Sequence, residues 1–288
     1  LVGVSDDRIW RLLRHHIGQA RAQEGHSAVT RVGVDETSSR RGQRYITLFH
    51  DADAARLLFA TPGRNAATFS EFIADLQAHG GDAGAISDLS MDMSRAFQAG
   101  AARHCPQARV TFDPFHVVAL AGRALDQVRR AEVKTEPDLK GSRWALLKDS
   151  ERWSYKQLCT MHWLQRSGLK TARAWHLKQA LRRLYAAGLS PEEADHQLDR
   201  WISWARRSRL PPFKRLGATL REHKAGIIEH FRSGLTNASV EAMNAQIQAA
   251  KARAKGYATH ENLIAIAYLL CAKLKHLPRN PWLAPAAA

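Results

Sequence analysis

The chain has 288 residues, enough for one large domain or two smaller ones, and 45% of them are hydrophobic. It carries 43 lysines and arginines against 27 aspartates and glutamates, a formal net charge of +16. Because such an excess repels itself, it favours a polyanionic partner, most often nucleic acid. Ribosomal, chromatin and membrane-surface proteins share this bias. No apolar run approaches the roughly 20 residues of a membrane span, so we expect no membrane helix.

The cysteines and the start of the chain indicate its setting. Cys105, Cys159 and Cys271 are far apart in the sequence, which argues against a disulfide framework and favours a reducing cytoplasm. The chain opens with Leu1 rather than Met, so we expect a fragment of a longer protein. Residues 5–24 predict an amphipathic helix with a basic polar face, either a solvated surface helix or the remnant of a DNA-binding unit.

Alternating and helical hydrophobic patterns then follow one another along the first half of the chain. They predict the element order β-β-β-α-β-α-β-α, with strands near residues 29–37, 45–51, 56–63, 84–92 and 107–113. Short polar turns join the first three strands, and helices join the others. We therefore expect an α/β fold with a mixed five-stranded sheet and helices on both faces.

From about residue 125 to 232 the patterns predict helices alone, including one over residues 144–168. Six of the eight tryptophans fall in this stretch. They favour a tryptophan-rich core, with stacking of exposed rings on nucleic-acid bases as the alternative.

A helix after residue 236 has two distinct faces. Val240, Met243 and Ile247 form its apolar stripe. The polar face is formed by Asn237, Glu241, Asn244 and Gln248. Thr236 or Asn237 is placed to cap the helix.

Two aspartates are candidates for a metal site. Asp35 closes a strand whose other residues are apolar, and Asp92 ends the fourth strand. If these strands are neighbours, the carboxylates lie close together and must share a proton or bind a cation. Oxygen ligands without nearby thiolates select Mg²⁺ or Mn²⁺. Each aspartate alone is equally typical of a turn or helix cap, and Asp88, within the same strand, is a rival to Asp92.

Glu241 is the third candidate, because it is the one acid on a face otherwise made of amides. Lys251, Arg253 and Lys255 follow it along the helix, as expected for a metal ligand beside a phosphate path. The alternative is an ordinary solvated glutamate.

These features together resemble a known family. The runs VGVDE, YITLFHDADAARLLFATPGR, SMDMSRAF, FDPFHVV, LDQVRRAE and TNASVEAMNAQIQAAKARAKGY are similar to the ISL-three family of bacterial insertion-sequence transposases, over residues 31–270. The resemblance implies an RNase H-like fold of the DDE type, with Asp35, Asp92 and Glu241 as the catalytic, metal-binding triad. It also favours Asp92 over Asp88 and implies supporting roles for Asp113 and His116.

The resemblance also implies a domain organisation. We expect a helical remnant of a DNA-binding region over residues 1–25 and the first part of the catalytic domain over 26–124. A large all-α insertion is expected over 125–232, and helices completing the catalytic domain over 233–288. Family members usually begin with a zinc-binding segment and a helix-turn-helix, of which this chain has only the helix of residues 5–24.

The expected chemistry is strand cleavage and strand transfer of double-stranded DNA, with two Mg²⁺ or Mn²⁺ ions held by the triad. Arg40, Arg41, Asn237, Asn244, Lys251, Arg253 and Lys255 are the expected DNA-binding residues. A homodimer or larger assembly on DNA, in the bacterial cytoplasm, is expected. Two alternatives are a nuclease without strand transfer and a non-catalytic DNA-binding remnant of a decayed element.

Overall fold

The computed structural model describes residues 3–40 and 44–278. The chain forms two compact units, one of Leu1–Val110 with Thr236–Ala288 and the other of Thr111–Leu235. The second unit is therefore inserted into the sequence of the first. Among the described residues no helix combines the length and apolarity needed to cross a bilayer.

The sheet has five strands in the order β3-β2-β1-β4-β5. The strands are β1 (Arg31–Arg40), β2 (Arg44–Asp51), β3 (Arg56–Pro62), β4 (Asp88–Met91) and β5 (Arg109–Phe112). β2 pairs antiparallel with both β1 and β3, and β4 pairs parallel with β1. The predicted mixed five-stranded sheet is confirmed.

Twelve α-helices occur in the described residues. They are α1 (Asp6–Arg21), α2 (Ala66–Ala78), α3 (Arg95–His104), α4 (Pro114–Glu132), α5 (Arg143–Leu147), α6 (Tyr155–Arg166), α7 (Lys170–Ala186), α8 (Pro191–Arg207), α9 (Pro211–Glu222), α10 (Lys224–Ser233), α11 (Ala238–Arg253) and α12 (His260–Cys271). The first unit holds α1–α3, α11 and α12, and the second holds α4–α10.

The strand β2 places apolar side chains on both faces of the sheet, because successive residues point in opposite directions. Phe49 stacks on Phe72 of α2, with ring centroids 4.3 Å apart, and Phe69 meets Phe49 edge-on. Ile46 and Leu48 point the other way, into a core shared with α1, α11 and α12. The sheet is therefore covered by helices on both faces, as predicted.

The second unit consists of helices apart from the last two residues of β5. Its core includes Val117 and Leu125 of α4, Leu177 of α7, Ile202 of α8 and Phe213 of α9, all buried. The predicted insertion began at residue 125, but α4 packs on α7 and α9 and so belongs to the helical unit from its first residue.

Two sequence expectations for this unit were wrong. The helix predicted over residues 144–168 is interrupted between α5 and α6, because Ser154 and Gln157 form a capping box that starts α6 afresh. The tryptophans do not form the core either. Trp201 is buried, but Trp144, Trp163 and Trp204 are exposed.

One glycine in β1 is required by a buried histidine of β2. Gly33 lies opposite His50, and the imidazole Nδ1 lies 2.9 Å from the Gly33 carbonyl oxygen. A Cβ atom at residue 33 would come within 1.8 Å of the His50 ring. Since both residues are fully enclosed, neither chain segment has room to move aside.

Replacing Gly33 with alanine should therefore lower the free energy of unfolding by about 3 kcal/mol, as overpacking of a core does. Urea unfolding followed by circular dichroism measures this. Gly18→Ala is the control: this glycine lies within α1 with no atom near its missing Cβ, so alanine should stabilise the protein by about 0.5–1 kcal/mol. Equal stabilities of Gly33→Ala and the wild-type protein would contradict the packing described.

Candidate active site

Asp35 lies within β1, and Asp92 directly follows β4, the strand that runs parallel beside β1. The register pairs Gly33 of β1 with Ser90 of β4, and Asp35 and Asp92 each follow two residues later along their chain segments. Neighbouring strands are about 4.8 Å apart, so the two acids are close. Asp35 is 8% exposed, and Asp92, just past the end of β4, is partly exposed.

The helix α11 lies along β1 and is attached to it by polar side chains. Donors on the helix reach the strand at four places: Asn237 to the Val34 carbonyl, Asn244 to Asp35, Gln248 to Thr37 and Ser38, and Lys251 to Ser38. The amide face predicted from sequence is thus the face that meets the strand. It holds α11 at a fixed position over the central strand.

The Asp35 carboxylate is held by two hydrogen bonds on its two oxygens. The backbone N–H of Glu36 donates to Oδ1 at 2.8 Å, and the Asn244 side chain donates to Oδ2 at 2.6 Å. The bonds fix the direction of the carboxylate, since each engages a different oxygen. Ser94 N–H similarly donates to Asp92 Oδ1 at 2.8 Å.

Glu241 lies in the first turn of α11 and is exposed. It is four residues after Asn237 and three before Asn244, both of which bond to β1, so it shares the helix face that meets the strand. The side chain of Ser239, two residues earlier, lies 2.9 Å from His50 Nε2. The start of α11 is therefore anchored on either side of Glu241.

Glu36 is a further carboxylate at this place that sequence reasoning missed. Its pKa is raised to about 7 by burial and by the negative charges of Asp92 and Asp35, which outweigh the opposing Arg64. Arg64 Nη1 lies 3.6 Å from the carboxylate. The DE pair in VGVDE was the available signal. Asp92 and Asp35 thus act on Glu36 as neighbouring negative charges, in addition to the effect of its burial.

The rival Asp88 has a different task. It is 4% exposed and forms an ion pair with Arg109, 2.9 Å away. Burial alone would raise its pKa, but hydrogen bonds from Ser87 and Arg109 and the positive charges of Arg109 and Arg31 lower it overall. In the sheet, Asp88 lies opposite Arg31 of β1, at the end of β4 that is farther from Asp92. It is a structural ion-pair residue.

A second group of possible metal ligands lies elsewhere in the first unit. His26, Asp75 and His79 have ligand atoms within 4.8 Å of one another. Arg21 already donates to both oxygens of Asp75, at 2.9 and 2.8 Å, and the two imidazoles are stacked with centroids 4.6 Å apart. A guanidinium on the one carboxylate disfavours a cation here, so we assign this group to packing.

Comparison with known proteins identifies the family to which the chain belongs. The model of a family described as "Transposase", the ISL-three group of the DDE type, matches residues 32–267. The chain belongs to this family. It is 34% identical over 279 residues to the transposase for insertion sequence element IS1557 of Mycobacterium tuberculosis, a match that covers 87% of this chain and 62% of the relative. It is 28% identical over 243 residues to the transposase for IS1001 of Bordetella parapertussis, which covers 82% and 59%. The chain thus spans about three fifths of the length of the curated relatives it matches.

In this ISL-three family chain, the two predicted supporting residues belong to the second unit. Asp113 occupies the N-cap position of α4 and is 3% exposed, but its side chain makes no capping hydrogen bond to that helix. His116 Nε2 lies 4.0 Å from Asp113 Oδ2. The two side chains are therefore neighbours, and their supporting role stays a prediction.

The basic residues predicted to bind DNA fall into three groups. Arg40, Lys251 and Lys255 line a cleft of about 840 Å³ between the end of β1 and the end of α11. Arg253 is exposed outside the cleft lining. Arg41 lies outside the described residues.

The two amides predicted for DNA binding bond to the strand β1. Asn237 is fully buried and donates to Val34, and Asn244 donates to Asp35. These contacts position α11 and Asp35, and the predicted contact of the two amides with DNA stays a prediction.

Two buried histidines give the transposase fold a measurable pH dependence. Burial, together with His79, Arg56 and Arg21, lowers the pKa of His26 to about 4, and burial lowers the pKa of His50 to about 4. Both are neutral in the folded protein, whereas in the unfolded chain each takes a proton below about pH 6.5. Each histidine's stabilising contribution is therefore lost as the pH falls from 6.5 to 4.

The His26→Phe variant isolates one of these contributions. His50 and Glu36 are present in both proteins, so their effects on stability cancel when the variant is compared with the wild-type protein. Between pH 6 and 4.5 the stability of the wild-type protein relative to the variant should fall by up to about 1.4 kcal/mol per pH unit. Urea unfolding at several pH values measures the difference. A difference that stays constant with pH would show that His26 titrates normally in the folded protein.

Proposed function

We propose that this chain is the catalytic region of a transposase that cleaves a DNA phosphodiester and joins the released 3′-hydroxyl to a second DNA. Asp35, Asp92 and Glu241 are the proposed catalytic carboxylates. The observation that carries the proposal is that Asp92 follows the strand parallel to the one that holds Asp35, and that the helix bearing Glu241 is hydrogen-bonded to Asp35 through Asn244.

The donor set fits divalent cations. Asp35, Asp92 and Glu241 supply oxygen ligands only, which suits Mg²⁺ or Mn²⁺, and two ions are proposed. The raised pKa of Glu36 supports this, because Asp92 and Asp35 add to the effect of burial as nearby negative charges that a cation would neutralise. When bound, the ions would activate the attacking hydroxyl and neutralise charge on the phosphate.

The protein's own residues have separate roles in this proposal. Asn244 orients Asp35, and Asn237 fixes the start of α11 on β1. Arg40, Lys251 and Lys255 form a basic path along which the DNA backbone lies, with Arg253 and Arg41 adding charge. Asp113 and His116 are proposed to support the site.

Double-stranded DNA is the proposed partner, as transposon ends and as target. Cutting both ends of one element requires two active sites, so we propose at least a dimer when the protein is assembled on DNA.

The Glu241→Gln variant should abolish Mn²⁺-dependent nicking of supercoiled plasmid, because the amide cannot supply a charged metal ligand. DNA affinity, measured by fluorescence anisotropy in EDTA, should be unchanged. Glu261→Gln is the matched control, since it removes the same charge from the first turn of α12. Nicking by Glu241→Gln at the wild-type rate would refute the assignment.

Two outcomes of the same assays separate the alternatives. A pre-cleaved 3′-hydroxyl end incubated with target plasmid should give a joined product, whereas cleavage without joining would indicate a nuclease. If wild-type protein yields no metal-dependent product while still binding DNA, the chain is a binding remnant.

Asn244→Ala should raise the Mn²⁺ concentration needed for half-maximal nicking by about 10–100-fold, since Asp35 loses the bond that orients it. High Mn²⁺ should restore the rate, which a folding defect would not allow. Gln248→Ala serves as the comparison, because it removes an amide from the same helix face that bonds Thr37 and Ser38 rather than an acid. Equal metal requirements in the two variants would show that Asn244 only attaches the helix.

A further inference from the structure

The second unit contains a cavity that the proposed chemistry does not use. It has a volume of about 680 Å³, within the range of sites that hold small organic ligands. Its walls come from α4, α5, α7 and the residues just after α5, all within the helical unit. It combines an apolar floor with a strongly basic rim.

The apolar floor is formed mainly by α4. Phe115, Val118 and Ala119 line it, together with Leu147 at the end of α5. Phe115 is 62% exposed, so its ring is open to a ligand. A flat aromatic ring beside a cavity suits stacking of another flat ring, such as a nucleobase.

The rim carries five cationic side chains and two carboxylates. The cations are Arg123, Arg130, Arg143, Lys178 and Arg182, and the acids are Asp126 and Asp149.

Some of this charge is already neutralised. Arg182 pairs with Asp149 at 2.6 Å, and Arg143 lies 4.0 Å from Asp126. Arg123 and Arg130 are exposed, and within residues 3–40 and 44–278 neither forms an ion pair. Positive charge therefore remains for an anionic ligand.

Lys178 adds a buried cation to the same cavity. It is 4% exposed, and its Nζ donates to the carbonyls of Leu146 and Leu147 at 2.8 and 3.1 Å. Burial and the neighbouring Arg182 lower its pKa to about 8, against the opposing effect of Asp149. A bound anion would stabilise the charged ammonium, so this residue also favours an anionic ligand.

We propose that this cavity is a second DNA site, which takes a single unpaired nucleotide with its base on Phe115 and its phosphates on Arg123 and Arg130. A paired base in duplex DNA has both faces covered by its neighbours, so only an unstacked base can meet the ring. The site therefore selects distorted or single-stranded DNA over regular duplex. This inference rests on DNA being the substrate in the proposed function, but not on the three carboxylates.

The test measures binding of the full chain in EDTA, so that cleavage plays no part. Three labelled oligonucleotide duplexes of equal length are compared by fluorescence anisotropy: one fully paired, one with a single unpaired adenine, and one with an abasic residue at that place. The unpaired adenine should bind about 10-fold more tightly than the paired duplex, as expected for one stacked base. The abasic duplex should lose this preference.

Variants assign the preference to the cavity. Phe115→Ala should abolish it, and Phe115→Trp should retain it, because only the flat ring is needed. The double variant Arg123→Glu/Arg130→Glu should bind the adenine duplex at least 10-fold more weakly than Arg166→Glu/Arg173→Glu. The latter makes the same charge change at exposed positions outside the cavity lining. Thermal unfolding followed by circular dichroism verifies that all four variants fold.

The results distinguish this inference from the proposed function. If the chain binds all three duplexes equally, or Phe115→Ala keeps the preference, the nucleotide site is refuted while the proposed cleavage stands. If the two double variants bind alike, general charge rather than the cavity explains the affinity, and the inference is again refuted. If the chain binds no DNA, the proposed function fails as well.

Discussion

The hydrogen bonds between α11 and β1 fix the acidic region of the first unit. Asn237, Asn244, Gln248 and Lys251 each donate from the helix to the strand, and one of these bonds ends on Asp35 itself. A helix packed only by apolar contacts could slide or rotate, because such contacts have no direction. Directional bonds at several turns remove that freedom, so the position of Glu241 follows from the attachment of its neighbours.

This attachment opposes the repulsion that the acids exert on each other. Asp35, Glu36 and Asp92 concentrate negative charge in a chain whose formal net charge is +16, and their repulsion adds to burial in raising the pKa of Glu36. The surrounding structure supplies the stability that the site does not. Stacked phenylalanines lie on one face of the sheet and an aliphatic core on the other. An excess of carboxylates held within such a frame is the arrangement expected where a cation binds.

The helical unit adds a different kind of surface. Its core is mainly aliphatic but includes Phe213 and Trp201, whereas three other tryptophans and Phe115 are exposed. Arg143, on the rim of the basic cavity, lies over the ring of Trp144 with 5.2 Å between the guanidinium carbon and the ring centroid. Exposed aromatic rings interleaved with arginines suit contact with nucleic acid, because bases stack on the rings and phosphates pair with the guanidinium groups.

The sequence by itself determined the element order, the mixed sheet and the two faces of α11, because hydrophobic periodicity and turn residues are local signals. It placed both Asp35 and Asp92 at strand ends, which holds for Asp92 after β4 but is wrong for Asp35, because β1 continues to Arg40 through its pairing with β2. Only the tertiary structure decided that Asp88 forms an ion pair with Arg109 and that Asn237 and Asn244 donate hydrogen bonds to β1. It also decided that Glu36 lies near the charges of Asp35 and Asp92. Those outcomes depend on partners remote in the chain, and no local pattern encodes which of several polar residues will meet. The same reason explains the basic cavity, whose walls come from helices that are separate in sequence and become neighbours only on packing.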